Sequence, residues 1–476
     1  MHAHPATPAT IVALASAAGR AGVAVIRVSG PQAGPALEAL SRRPCPPPRR
    51  AVVRHLWETA PTQITPTQTA PTQTALPSPP DSRTDLLDQA LVLWLPAPGS
   101  FTGEDVAEFQ VHGGRAVVRG VLEALLRLPG LRPAEAGEFA RRAFQHGRLD
   151  LTAVEGLADL VAAETAAQRR QALRQMEGAF GRLCDGWREQ LVPALAWLEA
   201  CIDFADDDLP AETEAAVWEQ VAAVESAIAA HLADAHRGER LREGLGVAIV
   251  GAPNTGKSSL LNALARREVA IVAEQAGTTR DVVEVALDLA GLPVILADTA
   301  GLRDSPDPVE QEGVRRARHR AGQADLRLAL FDAALWPALD PATLALVDAC
   351  TLPLLSRCDR VDPAALPDPA GLRVAGQPAL LLSARTGAGM SLLLERLTAL
   401  ASRQISGDDS PTLTRARHRD ALSACQAALT AARQAPLLEL AAEDLRLAVR
   451  ALGRITGRVD VDDLLDVIFR DFCIGK

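Results

Sequence analysis

A glycine-rich loop at 251–258, GAPNTGKS, has the residue types and spacing of a phosphate-binding motif, GxxxxGK followed by Ser or Thr. The run VAIV before it predicts a buried strand, and LLNALA after it predicts a helix, which is the context that the motif requires. Backbone N–H groups of such a loop and the N-terminus of the helix can hold phosphate oxygens. We therefore predict that Lys257 reaches the β- and γ-phosphates of a nucleotide and that Ser258 binds Mg²⁺.

Two further motifs follow in the order that such a nucleotide site needs. DTAG at 298–301 comes after the strand pattern VILA, so Asp298 is predicted to lie near Mg²⁺, and Gly301 can offer an N–H to the γ-phosphate. GTTRD at 277–281 lies between the two, and one of its threonines can bring a second hydroxyl to Mg²⁺ when the loop closes on the triphosphate. GTTRD alone is a weak signal, but in this order it supports a nucleoside triphosphatase.

The choice of base depends on two later loops. The order of motifs resembles that of translational GTPases, whose guanine motif is NKxD followed by SAK or SAL, and this chain has SRCD at 356–359 and SAR at 383–385. Asp359 can accept hydrogen bonds from guanine N1 and N2, whereas Ser356 and Arg357 stand where Asn and Lys are usual. We expect guanine selectivity with reduced affinity. The alternative, an ATPase, requires Asp359 to be incidental.

Two residue types are so rare that their places are informative. Of the 49 Lys and Arg residues only Lys257 and Lys476 are Lys, and the only Asn residues are Asn254 and Asn262. Because Arg serves almost everywhere else, we predict that an ammonium group matters at both Lys positions. Asn254 lies inside the phosphate loop, where its amide oxygen could ligate a monovalent cation. The alternative is a turn residue that tolerates an unusual φ angle.

Composition limits the class of protein. A length of 476 residues predicts several domains. The net charge of −10 and a pI near 5.5 exclude an overall basic surface for nucleic acid but allow a local basic patch. Seven scattered cysteines without a CxxC pair argue against a disulfide framework and a structural zinc site. Because we find no signal-peptide pattern and no apolar run long enough to span a bilayer, we expect a cytoplasmic protein without a membrane segment.

The first part of the chain predicts an α+β domain that ends near residue 146. Residues 10–30 have the pattern strand, glycine-rich turn, strand, and 89–95 predicts another strand. A helical period follows at 114–128. The low-complexity stretch 61–80 contains PTQ three times and is interpreted as a surface insertion, with a Pro-rich docking ligand as the alternative.

Two helical blocks enclose one α/β block in the remainder of the chain. Apolar residues recur at helical spacing over 149–240, whereas 246–400 alternates strands and helices in the manner of a parallel α/β sheet. ISGDDSP at 405–411 is a linker, and 412–470 is helical again. The predicted breaks within this last block are Pro436, Gly453 and Gly457. The pattern predicts an α/β domain inserted into a helical one.

The whole chain resembles the MnmE family (also called TrmE), whose members are tRNA-modification GTPases. The resemblance covers nearly all residues outside 60–84, and its most specific motif is the terminal FCIGK. The other matching segments are GRAGVAVIRVSG, SFTGEDVAEFQVHGG, GEFARRAFQHGRLDL, GAPNTGKSSLLNAL, AGTTRDV, DTAGLR and GRITGRVDVDDLLDVIFRD. The chain departs from the family at SRCD and at Arg148, where Lys is usual.

The resemblance implies a homodimer whose chain has an N-terminal tetrahydrofolate-binding α+β domain, an all-α helical domain and a Ras-like P-loop G domain inserted into the latter. The implied boundaries are 1–146 for the folate-binding and dimerisation domain, 147–241 and 406–476 for the two helical parts, and 242–405 for the G domain. The second helical part ends in the CIGK motif.

The activity implied by the resemblance is a potassium-dependent GTPase that takes part in tRNA modification. Together with an FAD-dependent MnmG-type partner, in a heterotetramer, such proteins convert C5 of the wobble uridine to carboxymethylaminomethyl- or aminomethyl-uridine. The one-carbon unit comes from 5-formyltetrahydrofolate or a related folate, and the FAD belongs to the partner.

Four residues match folate contacts of the family: Arg27, Glu108, Arg148 and Lys476. The guanidinium of Arg27 suits the glutamate tail or a pterin carbonyl, and Glu108 can accept hydrogen bonds from pterin N–H groups. Arg148 keeps the charge of the family's Lys but not its geometry. Without their motif setting, Arg27 and Arg148 would be ordinary surface arginines.

The resemblance also implies the residues of the nucleotide site. The GTP contacts are Asn254, Thr255, Gly256, Lys257, Ser258, Ser259, Ala273, Glu274, Gln275, Ala276, Gly277, Thr278, Thr279, Asp298, Thr299, Ala300, Gly301, Asp359, Ser383, Ala384 and Arg385. The K⁺ ligands are Asn254, Ala273, Gln275 and Thr278, and the Mg²⁺ ligands are Ser258 and Thr279. Glu310 matches the catalytic residue that orients the attacking water. In place of an arginine finger, K⁺ supplies positive charge near the β–γ bridge when two G domains meet.

Several alternatives stay open at this point. A ribosome-assembly GTPase would usually add an RNA-binding module or a second P-loop, a non-enzymatic switch would only recruit partners, and a folate enzyme could act alone. Cys473 is a candidate catalytic residue as nucleophile or general acid, or it is a buried core cysteine beside Phe472 and Ile474. Lys476 is the better supported half of the prediction that the tail reaches a folate pocket.

Overall fold

The computed structural model of the protein describes most of the chain and divides it into two compact units. One unit is Met1–Glu155 with Gly457–Lys476, and the other is Gly156–Thr456. The described residues are 9–59, 86–203, 211–267, 269–271, 284–298, 324–365, 368–405, 413–459, 465, 468, 469, 472 and 475. The predicted insertion at 61–80 and nearly all of the predicted linker lie outside these residues.

A six-stranded sheet organises the first unit. Its strands are β1 (Thr10–Leu14), β2 (Ala21–Ser29), β3 (Val52–Trp57), β4 (Leu86–Leu95), β5 (Val106–Gly113) and β6 (Leu131–Pro133), in the order β3-β4-β5-β2-β1-β6. Only β1 and β6 pair in parallel among these strands, and the other pairs are antiparallel. The helices are α1 (Ala33–Ser41), α2 (Arg115–Leu126) and α3 (Glu138–Gln145). The predicted strands and helix are therefore present.

The alternation of residues along β2 and β5 explains the main core of this unit. Ile26 and Val28 on β2 and Phe109 on β5 are fully buried together with Leu37 of α1, while Arg27 on the other face of β2 lies opposite Glu108. A period of two puts alternate side chains on opposite faces of a sheet. The same alternation that builds the core thus presents two charged side chains side by side on the other face.

A buried ion-pair network ties α3 to the sheet. Arg132 donates from both terminal nitrogens to the Glu138 carboxylate at 2.8 and 2.6 Å, and Arg142 donates to it at 2.9 Å and to Glu104 at 2.9 Å. Burial alone would raise the pKa of Glu138, but hydrogen bonds from Arg132, the Glu135 backbone and Arg142 lower it to about 2 from the usual 4.5. The carboxylate is therefore held in its charged form by its neighbours.

The Glu138 network is expected to make stability fall as the pH drops from about 4.5 to about 2. The unfolded chain takes up the proton first because its carboxyl has the higher pKa, so protonation favours unfolding. Glu138→Gln should cost about 3 kcal/mol near neutral pH and flatten this dependence, as measured by chemical denaturation at several pH values. Glu123→Gln, which removes the partner of exposed Arg119, should change stability far less, because solvent screens an exposed ion pair. Equal losses in the two variants would contradict the prediction.

Helices α4–α8 form the start of the second unit. They are α4 (Leu151–Ala162), which begins in the first unit, α5 (Ala166–Met176), α6 (Ala179–Asp203), α7 (Ala211–Ala233) and α8 (Ala235–Glu243). Thr165 and Gln168 form a capping box that fixes the start of α5. Buried residues of α6 and α7 pack with the last helices, α12 (Ala416–Gln434) and α13 (Leu438–Thr456), in one apolar core. The predicted helical blocks are confirmed.

The α/β part of this unit is a seven-stranded sheet in the order β15-β12-β11-β7-β10-β9-β8. In chain order its region contains β7 (Leu245–Gly251), α9 (Lys257–Ala265), β8 (Ala270–Ile271), β9 (Glu284–Leu289), β10 (Leu292–Asp298), β11 (Leu326–Asp332), α10 (Pro341–Leu344), β12 (Thr351–Ser356), β13 (Arg373–Val374), β14 (Gln377–Pro378), β15 (Leu380–Leu381) and α11 (Met390–Ile405). Short 3₁₀ helices cover Ala333–Leu335, Cys358–Arg360 and Pro363–Ala365.

The expectation of a parallel sheet is wrong at one side. Strands β8, β9 and β10 pair antiparallel, whereas β10, β7, β11, β12 and β15 pair in parallel. The reason is a two-residue turn, Ala290–Gly291, in which both residues have positive φ, 55° and 87°. Such a turn matches the twist of an antiparallel hairpin. Ala rarely adopts this conformation, which is why the sequence did not signal the hairpin.

The breaks predicted in the C-terminal helical block are partly wrong. Pro436 lies between α12 and α13 as expected, but Gly453 is buried inside α13. Gly457 ends that helix with φ +86°, and a Cβ there would lie 2.6 Å from the ring of Phe144. In the ranges described above, no helix is both long enough and apolar enough to cross a membrane.

Candidate functional site

The phosphate loop lies between β7 and α9, as predicted. A Cβ on Gly251 would come within 2.5 Å of the Leu330 carbonyl oxygen, so a larger residue does not fit where the loop leaves the sheet. Gly256 has φ +97° and caps α9, whose first residue is Lys257. The Lys257 ammonium is buried and donates to the carbonyl oxygens of Gly251 and Ala252, both at 2.9 Å. It therefore lies inside the loop that would hold the phosphates.

Asn254 occupies the tip of this loop. It is exposed and has φ +63°, a left-handed conformation that Asn tolerates better than most residues. The turn alternative for Asn254 thus has a structural basis, and the K⁺ ligand role stays a prediction. Ser258 and Ser259 lie exposed at the start of α9, and the Mg²⁺ role of Ser258 stays a prediction.

Ser356 connects the guanine loop to the phosphate loop. It ends β12, is buried, and its hydroxyl lies 2.5 Å from the Thr255 carbonyl oxygen and 3.0 Å from that of Phe331. The next residue, Arg357, has φ +58° and donates to Asp332 at 3.1 Å. The hydroxyl therefore keeps the connection between the two loops that the usual Asn would make.

Asp359 is held by the SAR loop. The Ser383 hydroxyl donates to its Oδ1 at 2.6 Å, and the Arg385 Nε donates to its Oδ2 at 2.9 Å. The hydrogen bond from Ser383, followed by that from Arg385 and its charge, lowers the pKa of Asp359 below its usual range. The carboxylate is thus charged and fixed at neutral pH, ready to accept from two N–H groups of a base.

Several predicted nucleotide contacts fall outside the described residues. Asp298 ends β10 next to β7, in register with Ile249, but its side chain is not described. The residues outside are Ala273, Glu274, Gln275, Ala276, Gly277, Thr278, Thr279, Thr299, Ala300, Gly301 and Glu310. Their roles toward GTP, K⁺, Mg²⁺ and water stay predictions.

Arg27 and Glu108, two of the predicted folate contacts, lie side by side in the first unit. They are opposite each other on β2 and β5, and Arg27 Nε donates to Glu108 Oε1 at 2.9 Å. The Arg27 guanidinium also lies 5.5 Å and 5.7 Å from the ring centroids of Phe101 and Phe139. A charged pair against two aromatic rings is a setting that suits a planar ligand with polar edges.

The third predicted folate contact, Arg148, is exposed and lies beside the loop that carries Phe101. Its Cγ is 3.5 Å from the position that a Cβ on Gly103 would take, and its backbone N–H donates to Ala143 at 2.8 Å. Two predicted folate contacts therefore lie beside the 100–104 loop: Arg148 is close to Gly103, and Arg27 is close to Phe101. The fourth contact, Lys476, and Cys473 both lie outside the described residues.

The C-terminal tail runs back to β1. Gly475 has φ +107°, and a Cβ on it would overlap the Leu14 carbonyl oxygen and lie 2.9 Å from the Ala15 Cα. Upstream, Phe472 is nearly buried and its ring centroid is 5.7 Å from that of Phe469. Because Leu14 pairs with Ile26, the residue next to Arg27, Gly475 lies one strand away from β2, which carries Arg27.

Three residues that line these sites were not predicted from the sequence: Phe101, Phe139 and Asp332. Phe101 and Phe139 gave no signal of their own, because nothing in the sequence ties them to Arg27. Asp332 did carry one: it ends the strand pattern LALFD as Asp298 ends VILAD, and the carboxyl ends of parallel strands form the ligand edge of such sheets.

A phosphate loop with a buried lysine and a second loop with a fixed aspartate define a P-loop protein of the guanine-nucleotide class. Family models give a narrower assignment: "MnmE helical domain" matches residues 151–473, and "GTP-binding protein TrmE N-terminus" matches residues 10–148. The chain belongs to the MnmE family of tRNA modification GTPases, which confirms the resemblance inferred from the motifs.

Close relatives extend over almost the whole chain. The chain is 56% identical to the tRNA modification GTPase MnmE of Rhodospirillum rubrum, covering 98% of this chain and 99% of that protein. It is 50% identical to the mitochondrial 5-taurinomethyluridine-tRNA synthase subunit GTPB3 of Homo sapiens, covering 99% and 94%. The G domain of the T. maritima FeoB iron transporter matches 33% of this chain and 97% of its own at 25% identity, but its TM-score of 0.25 establishes no shared fold. The family assignment decides against a ribosome-assembly GTPase.

Proposed function

We propose that this chain hydrolyses GTP with the help of K⁺ and Mg²⁺ and uses a folate one-carbon unit to modify C5 of the wobble uridine of tRNA. The proposal includes a homodimer, an FAD-dependent MnmG-type partner and the domain boundaries given above. One observation carries it: a single chain holds a guanine-nucleotide loop and, in its other unit, the Arg27–Glu108 pair near the C-terminal tail. The names of its relatives, tRNA modification GTPase and taurinomethyluridine synthase subunit, support a tRNA uridine as the substrate.

In the G domain, the proposed site places positive charge beside the phosphates of GTP, where phosphoryl transfer requires it. Lys257 neutralises the β- and γ-phosphates, and the N–H groups at the start of α9 contact their oxygens. Ser258 and Thr279 would hold Mg²⁺, and Asn254 with Ala273, Gln275 and Thr278 would hold K⁺. Bound K⁺ would supply positive charge near the β–γ bridge. Glu310 would orient the attacking water.

In the first unit, Arg27 and Glu108 would orient the folate, with the rings of Phe101 and Phe139 beneath the guanidinium. Arg148 and Lys476 add positive charge for the glutamate tail. Gly475 lies against β1, and the proposal assigns the neighbouring Lys476 to the folate. The proposal leaves Cys473 as a candidate for the chemical step.

GTP hydrolysis by the purified full chain should be faster in K⁺ than in Na⁺ by about tenfold or more, because a missing transition-state charge typically costs at least that much. Turnover is measured by phosphate release at equal ionic strength. Asn254→Ala should remove the difference between the two cations, whereas Arg373→Ala, an exposed residue of β13, should preserve it. Equal rates in both cations would refute the potassium part of the proposal.

The tRNA part of the proposal is tested in a strain that lacks the gene for this protein. Wild-type chain should restore the modified wobble uridine, detected by mass spectrometry of digested tRNA, and Arg27→Ala should not. Normal modification by Arg27→Ala would contradict the folate assignment of the Arg27–Glu108 pair. Failure of the wild-type chain to restore modification would contradict the substrate assignment.

A further inference from the structure

An unusually basic segment lies in the first unit of this acidic protein. Residues 39–57, ALSRRPCPPPRRAVVRHLW, contain five arginines and one histidine but no aspartate or glutamate, although the chain has a net charge of −10. We call the side chains of Arg42, Arg43, Arg49, Arg50, His55 and Trp57 the 42–57 patch; Arg54 lies on the other face of β3, which also carries buried Leu56. A cluster of positive charge on an acidic protein marks a local site for an anionic partner.

The patch combines positive charge with aromatic rings. Val53 and His55 are exposed on one face of β3, the end strand of the six-stranded sheet, and the ring centroids of His55 and Trp57 are 6.2 Å apart. The Arg42 guanidinium lies 4.7 Å from the centroid of the Trp57 ring. Guanidinium and indole planes in contact offer both a phosphate ligand and a surface on which a base can stack.

The backbone fixes the remaining arginines. Arg49 has φ +59°, its N–H donates to the Trp94 carbonyl at 2.8 Å, and its guanidinium lies 3.3 Å from the Gly99 carbonyl oxygen. The Arg50 N–H donates to Pro47 at 3.3 Å, in a segment stiffened by three consecutive prolines, 46–48. The side chains of Arg43 and Arg50 are exposed. The backbone and the Arg49 guanidinium are thus fixed, and the exposed arginines are accessible to a partner.

These arginines differ in their partners from five other arginines of the first unit. Arg27, Arg119, Arg127, Arg132 and Arg142 each pair with a glutamate. Among the residues that the structure describes, no carboxylate pairs with Arg42, Arg43, Arg49 or Arg50. The two acids that flank the segment have other partners: Glu38 accepts from the Cys45 N–H at 2.9 Å, and Glu58 pairs with Arg127 at 3.5 Å. Four positive charges without a carboxylate partner repel one another, and an anionic ligand would offset that repulsion.

We propose that the 42–57 patch binds the sugar–phosphate backbone of the tRNA substrate, with Trp57 and Arg42 against an unstacked base. The proposal rests on the proposed function, which supplies an RNA to this chain. Arginine forks match phosphate oxygens, and proteins that recognise RNA loops stack bases on aromatic rings and guanidinium planes. An anionic lipid surface would use the charge but not the stacked rings, so we favour RNA.

The test measures binding of an unmodified tRNA transcript to the full chain by fluorescence anisotropy over a range of salt concentrations. Arg43→Gln with Arg50→Gln should weaken binding by about tenfold and lower the slope of log affinity against log salt by about 1.4, because each phosphate contact to a single strand contributes about 0.7. Trp57→Leu should weaken binding with little change in the slope, since stacking involves no counterion release. GTP hydrolysis should be unchanged in both variants.

The control removes the same charge from the other unit. Arg396→Gln with Arg403→Gln changes two exposed arginines on α11 and should leave tRNA affinity and slope at wild-type values. The proposal would be overturned if the Arg43/Arg50 variant bound tRNA normally or if the control variant lost as much affinity. Binding to phosphatidylglycerol–phosphatidylcholine vesicles is measured in parallel, and a loss confined to vesicle binding would also overturn it. Wild-type GTP hydrolysis and restored wobble-uridine modification in that case would leave the proposed function intact.

Discussion

Replacing Lys257 with arginine should lower GTP affinity by about 100-fold or more, which corresponds to about 2.8 kcal/mol. The Lys257 ammonium is buried and touches two loop carbonyls at 2.9 Å, so it occupies a space sized for a compact point charge. A planar guanidinium is larger and has fixed donor directions, and it would enter the volume meant for phosphate oxygens. Affinity is measured with a fluorescent GTP analogue bound to the full chain.

A matched exchange on the same helix serves as the control for Lys257→Arg. Arg266 caps the other end of α9 and is exposed, so Arg266→Lys makes the reverse substitution away from the phosphates. It should keep GTP affinity within about twofold, because an exposed charge at a helix end contributes little. Near-normal GTP binding by Lys257→Arg would show that the rarity of lysine in this chain has no bearing on the phosphate loop.

The phosphate loop could be predicted from the sequence because its geometry is local. GAPNTGKS, the strand before it and the helix after it are contiguous, and the structure places Lys257 and Gly256 as the motif requires. The guanine loop could be predicted only in part. Asp359 and Ser383 were both predicted as base contacts, but their hydrogen bond was not predicted. Nor was the contact of the Ser356 hydroxyl with Thr255, about a hundred residues away in the chain, because no local pattern encodes it.

The departure of SRCD from NKxD has less structural consequence than the motif alone implied. Ser356 keeps the connection to the phosphate loop, and Arg357 is anchored to Asp332 instead of being left loose. What a serine hydroxyl lacks is the second polar group of the usual amide, which could face the base. We therefore still expect guanine selectivity with reduced affinity. The reduction would come from a missing contact to the base, because the contacts that hold the loop are present.

In the first unit, too, single strands could be predicted from the sequence, but the pairing of distant strands could not. Alternating residues predicted β1, β2 and β4, yet the parallel pairing of β1 with β6 joins segments far apart in the chain. Pairing Arg27 with Glu108 depends on the register of two strands, and the family resemblance, not periodicity, singled those residues out. At Gly453 a local pattern gave a wrong prediction. Glycine disfavours a helix, but Gly453 is buried inside α13, where packing outweighs this preference.

Gly475→Ala is expected to reduce wobble-uridine modification by about tenfold or more while GTP binding and hydrolysis stay normal. Gly475 has φ +107°, which strains any residue with a Cβ, and that Cβ would overlap the Leu14 carbonyl oxygen. The backbone at residue 475 must therefore leave β1, and we expect the proposed roles of Cys473 and Lys476 to be lost with it. A displacement of about 1 Å at a reacting group can cost about 100-fold in rate. Modification is measured by mass spectrometry of tRNA from the rescued strain.

The Gly475→Ala experiment needs a glycine exchange that is sterically neutral. Gly186 lies inside α6, where a Cβ would meet nothing within 4 Å, so Gly186→Ala should support normal modification. Normal GTP hydrolysis by Gly475→Ala separates a misplaced tail from a misfolded chain. If Gly475→Ala modified tRNA at the wild-type level, the close packing of the tail on Leu14 would have no role in the reaction, and the reason for a lysine at position 476 would have to lie elsewhere.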